Sequence, residues 1–170
     1  MNDLELVKSD WRNLRHIKNQ TREICLIAIK QNPWALEYIE EQTEEMCLIA
    51  VKKEGFALLF VKNQTHELCL IAIKYSGFCI QYVKNQTYEL CLEAIMKDST
   101  SIQFIRDQIP EFCLLSVKNC GNNIRLLKNQ TYEVCLEAVK QNPNSIFLIE
   151  NKKMMRRIGN ELNIESEWNL

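Results

Sequence analysis

A cysteine recurs every 22 residues along this chain, and this period constrains the fold more than any other feature of the sequence. The series consists of Cys25, Cys47, Cys69, Cys91, Cys113 and Cys135. Each cysteine is followed by a leucine and is preceded by a glutamate two residues earlier and by a glutamine five residues earlier. Repetition at a fixed period of this length is typical of architectures in which each unit stacks on its neighbours.

Each unit is predicted to contain two short helices. In the unit that begins at Thr21, the threonine is a favourable N-cap, and Glu23 lies in the first turn, where the helix dipole favours an anion. The apolar residues that follow cover one broad side of a helix that ends near Gln31. Asn32-Pro33 then breaks the chain, and a second, shorter helix is predicted over residues 33–41. Helices this short are stable only when they stack on other units.

These patterns predict an all-α fold, a solenoid of six 22-residue helix-turn-helix repeats with N- and C-terminal caps. Residues 1–170 are expected to form a single domain, with one cap in residues 1–20, the repeats in residues 21–152, and a cap and polar tail in residues 153–170. The first segment keeps the apolar phase of a repeat but has Asp3 in place of the cysteine. Four glycines and three prolines are too few for an all-β protein rich in tight turns.

The repeat resembles a family of unknown function whose tandem units read close to K-N-Q-T-x-E-x-C-L-x-A-V-K-Q-N-G. The chain carries this pattern as KNQTYEVCLEAVKQNP over residues 128–143 and as KNQTHELCLIAIK over residues 62–74. The resemblance covers the six units, although Ile109-Pro110 replaces the threonine cap in the fifth. Such arrays are common in giant DNA viruses and occur in some bacteria. The resemblance implies a helical repeat protein with an interaction role, and it implies no enzymatic activity.

The cysteines are predicted to be structural. Equivalent positions of stacked helices lie about 8–10 Å apart, whereas a disulfide needs Cα atoms within about 7 Å and zinc needs four ligands around one ion. The chain has no C-x-x-C motif and only two histidines. We therefore expect the repeated cysteines and Cys79 to fill small core positions and Cys120 to lie exposed in a turn. No metal site and no cofactor are expected.

The sequence predicts a non-enzymatic protein with no catalytic residues. His66 precedes Cys69 by three residues, but the histidine falls in the first helical turn and the cysteine points inwards. Equivalent positions in neighbouring units hold Glu44 and Tyr88 instead of histidine, so the pair is not a repeated feature. The chain contains neither a phosphate-binding glycine loop nor a metalloprotease motif.

The glutamine that precedes each threonine position has two interpretations. In the first, its amide satisfies backbone groups that become free between the second helix of one unit and the first helix of the next. In the second, the row of amides binds a ligand. We favour the structural interpretation, because the glutamine recurs in all six units at a predicted turn.

Two series of basic residues run along the repeats. The first comprises Lys62, Lys84, Arg106 and Lys128, and the second comprises Lys30, Lys52, Lys74, Lys118 and Lys140. A basic stripe near aromatic residues is typical of a surface that follows a phosphate backbone, which makes a nucleic-acid-binding helical repeat the alternative function. The repeated glutamates lie on the same predicted face as the second series, and the formal net charge is only −1. Nucleic acid is therefore the less favoured partner.

The strongest functional signal is that two repeated positions are apolar in repeats one to three and mostly polar in the later repeats. One helix position that faces solvent on a helical wheel carries Ile27, Ile49 and Ile71, and then Glu93, Leu115 and Glu137. The start of the second helix carries Trp34, Phe56 and Phe78, and then Thr100, Asn122 and Asn144. Recurring exposed apolar groups form contiguous patches, which are typical of interfaces. The alternative is that neighbouring units cover these side chains.

We therefore predict a protein–protein interaction module, an adaptor or inhibitor of a host or partner protein, that binds through the apolar surface of repeats one to three. Nucleic-acid binding is one alternative, and a structural protein that self-assembles into homo-oligomers is another. The N-terminal residues contain no apolar leader, and no apolar run approaches the roughly 20 residues that cross a bilayer. We expect a cytoplasmic protein of the producing or infected cell, without membrane contact.

Overall fold

The computed structural model describes residues 2–164, and every regular element in this range is helical, which confirms the predicted all-α fold. The α-helices of this range are α1 (Asp3–Ser9), α2 (Arg22–Gln31), α3 (Glu44–Lys53), α4 (His66–Tyr75), α5 (Tyr88–Lys97), α6 (Pro110–Asn119), α7 (Tyr132–Gln141) and α8 (Lys152–Glu161). They alternate with the 3-10 helices η1 (Trp11–His16), η2 (Pro33–Tyr38), η3 (Gly55–Phe60), η4 (Gly77–Tyr82), η5 (Ser99–Phe104), η6 (Gly121–Leu126) and η7 (Pro143–Leu148). The end of the predicted polar tail, residues 165–170, lies outside the described residues.

The chain forms two compact units, Met1–Asn85 and Gln86–Leu170. In the first unit α1, α2, α3 and α4 pack in sequence order, and in the second unit α5, α6, α7 and α8 do the same. Each α-helix also contacts the 3-10 helix that follows it within its unit. This regular packing of consecutive elements is that of a helical repeat solenoid. None of the helices between residues 2 and 164 has the length and apolar character needed to cross a lipid bilayer.

The first helix of each repeat forms as the sequence predicts. The Thr65 Oγ1 atom accepts a hydrogen bond from the Leu68 amide at 3.3 Å, and the same cap recurs at the other repeat threonines. In α6, Pro110 takes the first helical position instead, where its missing N–H costs no hydrogen bond. The side chains of the repeated cysteine series are all buried on the inner faces of α2 to α7.

The second helix of each repeat is shorter and tighter than predicted. The sequence predicts a helix over residues 33–41, but η2 ends at Tyr38 and Ile39 has an extended backbone. The buried residues Pro33, Leu36 and Ile39 are spaced by three, which matches the three residues per turn of a 3-10 helix. The prediction assumed the wider turn of an α-helix and was wrong in both length and type.

A glutamine side chain closes the junctions between repeats. The Gln64 amide nitrogen donates hydrogen bonds to the carbonyl oxygens of Leu58 and Tyr82, at 3.2 and 2.9 Å. Its amide oxygen accepts a hydrogen bond from the Lys84 backbone N–H at 2.9 Å. One side chain therefore binds the ends of two successive 3-10 helices. The same three contacts recur at Gln20, Gln42, Gln108 and Gln130. These contacts confirm the structural interpretation, and we call this arrangement the glutamine clamp.

The repeats end two residues earlier than predicted. Five residues separate η2 from α3, whereas only residues 149–151 separate η7 from α8. Asn151 caps α8, because its side chain accepts hydrogen bonds from the amides of Lys153 and Met154. Lys152 occupies the position where a further clamp glutamine would stand. The cap helix α8 therefore begins at Lys152, within the range assigned from the sequence to the repeats.

Replacing Gln64 with alanine is expected to lower the free energy of unfolding by about 2–3 kcal/mol, because three hydrogen bonds at a half-buried junction are lost. Urea unfolding followed by circular dichroism measures the change. The neighbouring Asn63→Ala variant is the control, since this side chain is exposed and its loss is expected to stay within about 0.5 kcal/mol. Equal stability of the two variants would contradict the clamp.

Candidate functional site

Aromatic rings of successive 3-10 helices pack against one another in the first unit. The ring centroids of Trp34 in η2 and Phe60 in η3 lie 5.3 Å apart with an angle of 66° between the planes. Those of Phe56 in η3 and Tyr82 in η4 lie 6.2 Å apart at 82°. Both are the edge-to-face geometry that ring quadrupoles favour. In each pair, the second residue of one 3-10 helix contacts the last residue of the next.

Tyr75 extends this row from the end of α4. Its ring centroid lies 6.1 Å from that of Phe56, with the two planes at 84°. A Cβ atom added to Gly55 would lie 2.7 Å from the Tyr75 Cβ, so glycine at this position permits the close approach. Interaction of the Tyr75 hydroxyl with the Glu54 carboxylate raises the pKa of Tyr75 above its ordinary value. The Tyr75 side chain therefore packs against the start of η3.

Leu59 lies on the same outward side of η3 as Phe56. Side chains three residues apart overlie one another in a 3-10 helix, which places these two residues together. Trp34, Leu59 and Tyr75 are 40%, 46% and 47% exposed. We call the whole set of residues the aromatic edge: Trp34, Phe56, Leu59, Phe60, Tyr75, Phe78 and Tyr82. Sequence reasoning missed Leu59 and Tyr75, and three-residue spacing in the second helix would have found Leu59.

The aromatic members of the predicted binding surface are on this edge. Trp34 is exposed, and Phe56 and Phe78 are half-buried at the same position of η3 and η4. They lie in consecutive 3-10 helices that pack on each other within the first unit. The sequence contrast at this position therefore corresponds to one continuous edge of the first unit.

The predicted isoleucines Ile27, Ile49 and Ile71 are half-buried, which differs from the open solvent exposure expected on the helical wheel. The Arg22 guanidinium lies 2.5 Å from the Glu45 carboxylate, so the side of α3 that carries Glu45 faces α2. Ile49 is four residues after Glu45 and lies on that same side. Neighbouring helices therefore cover part of these side chains. On α4, Ile71 shares a side with Tyr75 and so adjoins the aromatic edge.

The second unit carries polar side chains where the first carries rings. Thr100, Asn122 and Asn144 stand at the position of Trp34. The Asn122 amide oxygen accepts hydrogen bonds from the side chains of Asn142 and Ser145, at 2.8 and 3.1 Å. The junction between η6 and η7 is therefore joined at this edge by polar contacts.

A polar pair also enters the core of the second unit. Asn123 is only 2% exposed, and its amide nitrogen donates hydrogen bonds to the Oγ atoms of Ser116 and Ser99, at 3.1 and 3.0 Å. Ser116 replaces the alanine found at this helix position in the other repeats. The Ser116 hydroxyl therefore supplies one of the hydrogen-bond partners of this buried asparagine.

The first basic series binds the backbone of the preceding linker. The Lys62 ammonium donates hydrogen bonds to the carbonyl oxygens of Ile39 and Glu40, at 3.1 and 2.6 Å. Lys84 and Lys128 bind the equivalent carbonyl oxygens 22 and 23 residues before them. Arg106 occupies the same linker position and is exposed. These lysines therefore connect consecutive repeats, while the second series, Lys30, Lys52, Lys74, Lys118 and Lys140, is exposed at the ends of the α-helices.

The buried cysteines are poor nucleophiles. Burial raises the pKa of Cys79 to about 12 and those of Cys91 and Cys135 to about 11. Because the thiolate is the reactive form, such thiols are largely inert near neutral pH. Cys120 has intermediate exposure in the turn before η6. Between residues 2 and 164, no three histidine, cysteine, aspartate or glutamate side chains come close enough to hold a metal ion.

A small cavity of about 200 Å³ lies at the starts of α3 and α4, and its lining includes Gln42, Glu44, Cys47, Asn63, Thr65 and Leu68. Pockets for small organic ligands usually enclose roughly 300–1,000 Å³. The cavity is therefore undersized for such a ligand. The aromatic edge is the better candidate, because it combines large apolar groups with exposure.

A family model described as a domain of unknown function (DUF4116) matches the chain at residues 4–43 and again at residues 21–65. Both matches lie within the first unit and agree with the resemblance to a family of unknown function. No curated protein and no solved structure matches the chain.

Cys120 is expected to react first with a thiol-exchange reagent, because the other seven cysteines are buried. Absorbance of the released thiol should report one fast equivalent in the native protein and eight in denaturant. The Cys120→Ser variant should lose the fast phase. A fast phase that persists in this variant would contradict the burial of the repeated cysteines.

The free energy of unfolding is expected to fall as pH rises from about 9 to about 12. Thiols of the unfolded chain ionise near 9.0, whereas folded Cys79 keeps its proton to about 12. The unfolded chain then binds fewer protons than the folded one, so stability decreases with pH. Cys79→Ala, which installs the residue found at Ala35 and Ala57, should reduce the slope by up to about 1.4 kcal/mol per pH unit in urea titrations. An unchanged slope would refute this assignment.

Proposed function

We propose that the protein is a non-enzymatic protein–protein interaction module whose partner binds the aromatic edge of the first unit. The observation that carries the proposal is the exposure of Trp34, Leu59 and Tyr75 at 40–47% on neighbouring elements of one unit. Aromatic residues are enriched in the cores of protein interfaces, and large exposed apolar groups in a row mark such surfaces. Within this proposal the protein acts as an adaptor or inhibitor in the cytoplasm of the producing or infected cell.

The edge is held in a binding-ready conformation. Trp34 packs on Phe60, and Phe56 packs on both Tyr75 and Tyr82, so the rings are oriented before a partner arrives. A partner then loses less free energy in ordering side chains, because ordering each mobile side chain at an interface costs about 0.5–1.5 kcal/mol. Preorganised tryptophan and tyrosine anchors are the residues that most often dominate binding energy.

The half-buried isoleucines have a secondary place in this proposal. Ile71 adjoins Tyr75 on α4, so it extends the apolar surface next to the edge. Ile27 and Ile49 occupy the equivalent position on α2 and α3 and are partly covered by adjacent helices. We propose that these isoleucines form the rim of the contact, with Trp34 and Leu59 nearer its centre.

The contacts of the basic residues favour a protein partner over nucleic acid. A nucleic acid would have to bind Lys62, Lys84, Arg106 and Lys128, and three of these lysines already donate hydrogen bonds to backbone carbonyl oxygens. A protein partner needs none of them. The two functions differ in their response to salt, because binding to a phosphate backbone weakens steeply as the salt concentration rises.

The test replaces residues of the edge by polar residues that the chain itself uses at the equivalent positions of other repeats. Trp34→Asn copies Asn122 and Asn144, and Leu59→Gln copies Gln81 and Gln103. The double variant should fold like the wild type, because both side chains are substantially exposed. Its affinity for the partner is expected to fall at least about 30-fold, the effect of losing one interface hot spot.

The partner is first captured by the wild-type chain from the natural source and identified by mass spectrometry, and its affinity for each variant is then measured by calorimetry. Met96→Gln is the matched control, since Met96 is an exposed apolar residue of the second unit. Unchanged affinity in the double variant would disprove the proposal. The nucleic-acid alternative would be favoured instead if moderate salt lowered the affinity tenfold or more while the double variant bound like the wild type.

A further inference from the structure

The first helix of the first unit and the last helix of the second unit carry opposite charges on sides that no described element covers. Among the described elements, α1 packs against α2 and η1, and α8 packs against α7 and η7. We propose that these two sides bind each other between copies of the chain, so that α8 of one copy packs on α1 of the next. This proposal does not depend on the aromatic edge.

The contact between α7 and α8 identifies the open side of α8. The Arg157 guanidinium lies 4.2 Å from the ring centroid of Tyr132 in α7, so the side that carries Arg157 faces α7. Lys152, Arg156 and Asn160 follow one another at intervals of four on a different side, and all three are exposed. This side of α8 is therefore basic.

An apolar side chain accompanies the basic residues of α8. Met155 lies beside Arg156 at the helix position that Cys135 occupies in α7. Cys135 is fully buried, whereas Met155 is only half-buried. The loss of burial at this position is expected where no further helix stacks on α8 within the described residues. The open side of α8 therefore combines positive charge with accessible apolar surface.

The open side of α1 carries the acidic residue Glu5. The Gln31 amide nitrogen of α2 donates hydrogen bonds to the Val7 and Lys8 carbonyl oxygens, at 2.8 and 3.1 Å, which locates α2 against the end of α1. Glu5 stands at the position of Ile49, whose side of α3 faces the helix before it. Within the described residues no helix precedes α1, and Glu5 is exposed.

The same pattern of lost burial occurs on α1. Leu6 stands at the position of Ala28, which is fully buried in α2, yet Leu6 is half-buried. Asp3 stands at the position of the repeated cysteine and is exposed. Glu5 forms an ion pair with Lys8 at 3.2 Å, but both side chains are about half exposed, and such pairs contribute little. The Glu5 carboxylate therefore remains able to meet a second cation.

Helix stacking within the chain supplies the geometry of the contact. The side of α2 that carries Arg22 meets the side of α3 that carries Glu45. Lys152 and Arg156 of α8 stand at the positions of Arg22 and Leu26, counted from the start of each helix. When α8 stacks on α1 in the same way, Arg156 meets Glu5, because Glu5 stands one turn beyond the position of Glu45, as Arg156 stands one turn beyond that of Arg22. Lys152 lies one turn before Arg156 on the same side of α8. Met155 and Leu6 fill the apolar part of the contact.

The charges specify one direction of assembly. Two α1 sides bring acids together and two α8 sides bring bases together, so only an α8-to-α1 contact pairs opposite charges. Such a contact joins two different surfaces and leaves one of each free on the resulting dimer. Repetition therefore produces open chains unless the rotation between copies closes a ring.

Two charge-reversed variants of the full chain test the proposal. One carries Glu5→Lys, and the other carries Lys152→Glu with Arg156→Glu. Size-exclusion chromatography with light scattering measures the average mass over a concentration series at low and high salt. The wild type is expected to grow in mass with concentration and to dissociate as salt screens the contact. Each variant alone is expected to stay monomeric, because its two open sides then carry like charges.

An equimolar mixture of the two variants is the decisive sample. The α1 variant has two basic open sides and the α8 variant has two acidic ones, so each variant can bind the other. The mixture is therefore expected to regain the larger mass. Glu41→Lys is the control, since it changes the net charge as much as Glu5→Lys does, on an exposed linker residue, and should associate like the wild type. Circular dichroism establishes that every variant is folded.

Three results would overturn the proposal. The first is a wild type that stays monomeric at low salt up to about 1 mM, the limit of weak association. The second is a mixture of folded variants that remains monomeric. The third is wild-type association that neither reversal changes, which would assign self-association to a different surface, such as the aromatic edge.

Discussion

The hydrogen bonds of the glutamine clamp are the interaction on which the repeat structure depends. A six-residue 3-10 helix leaves carbonyl groups without partners at its end, and a stack of such helices accumulates them at every junction. Gln64 shows the solution, in which one side-chain amide binds carbonyl oxygens of two successive 3-10 helices and an N–H beyond the second. The lysine at the same junction, Lys84, binds further carbonyl oxygens of the preceding linker. These polar contacts set the register between repeats and leave the surface residues free to vary.

That freedom explains how one backbone pattern carries two chemically different edges. Trp34 and Phe56 join neighbouring 3-10 helices through ring contacts in the first unit, whereas Asn122 joins them through amide hydrogen bonds in the second. Since the clamp fixes the repeat in both cases, the edge residue is not required for folding in one particular form. Because folding does not fix the edge residues, they are free to change in ways that favour binding. This is the physical basis for proposing function at the aromatic edge.

The sequence predicts the α-helices well, because threonine caps and the buried series around each cysteine follow rules for single helices. It does not predict the 3-10 helices, since the buried residues Pro33, Leu36 and Ile39 repeat every three residues, whereas the predicted helix has 3.6 residues per turn. The half-burial of Ile49 depends on which side of α3 faces α2, and this becomes known only from contacts such as that between Arg22 and Glu45. The sequence predicts the candidate site at Trp34, Phe56 and Phe78, together with Ile27, Ile49 and Ile71, but not at Leu59 and Tyr75, which are 46% and 47% exposed.

The glutamine clamp also has a consequence for how such a chain changes its length. Gln20 binds the Tyr38 carbonyl oxygen, and Gln42 binds the Phe60 carbonyl oxygen, in the same geometry. Removal of the 22 residues between two equivalent points would therefore present Gln20 with an identical backbone partner. Recombination in whole multiples of 22 residues preserves every junction, whereas insertion or loss of a single residue breaks one. The number of repeats can thus evolve in discrete steps, and new surfaces can be added without redesigning the core.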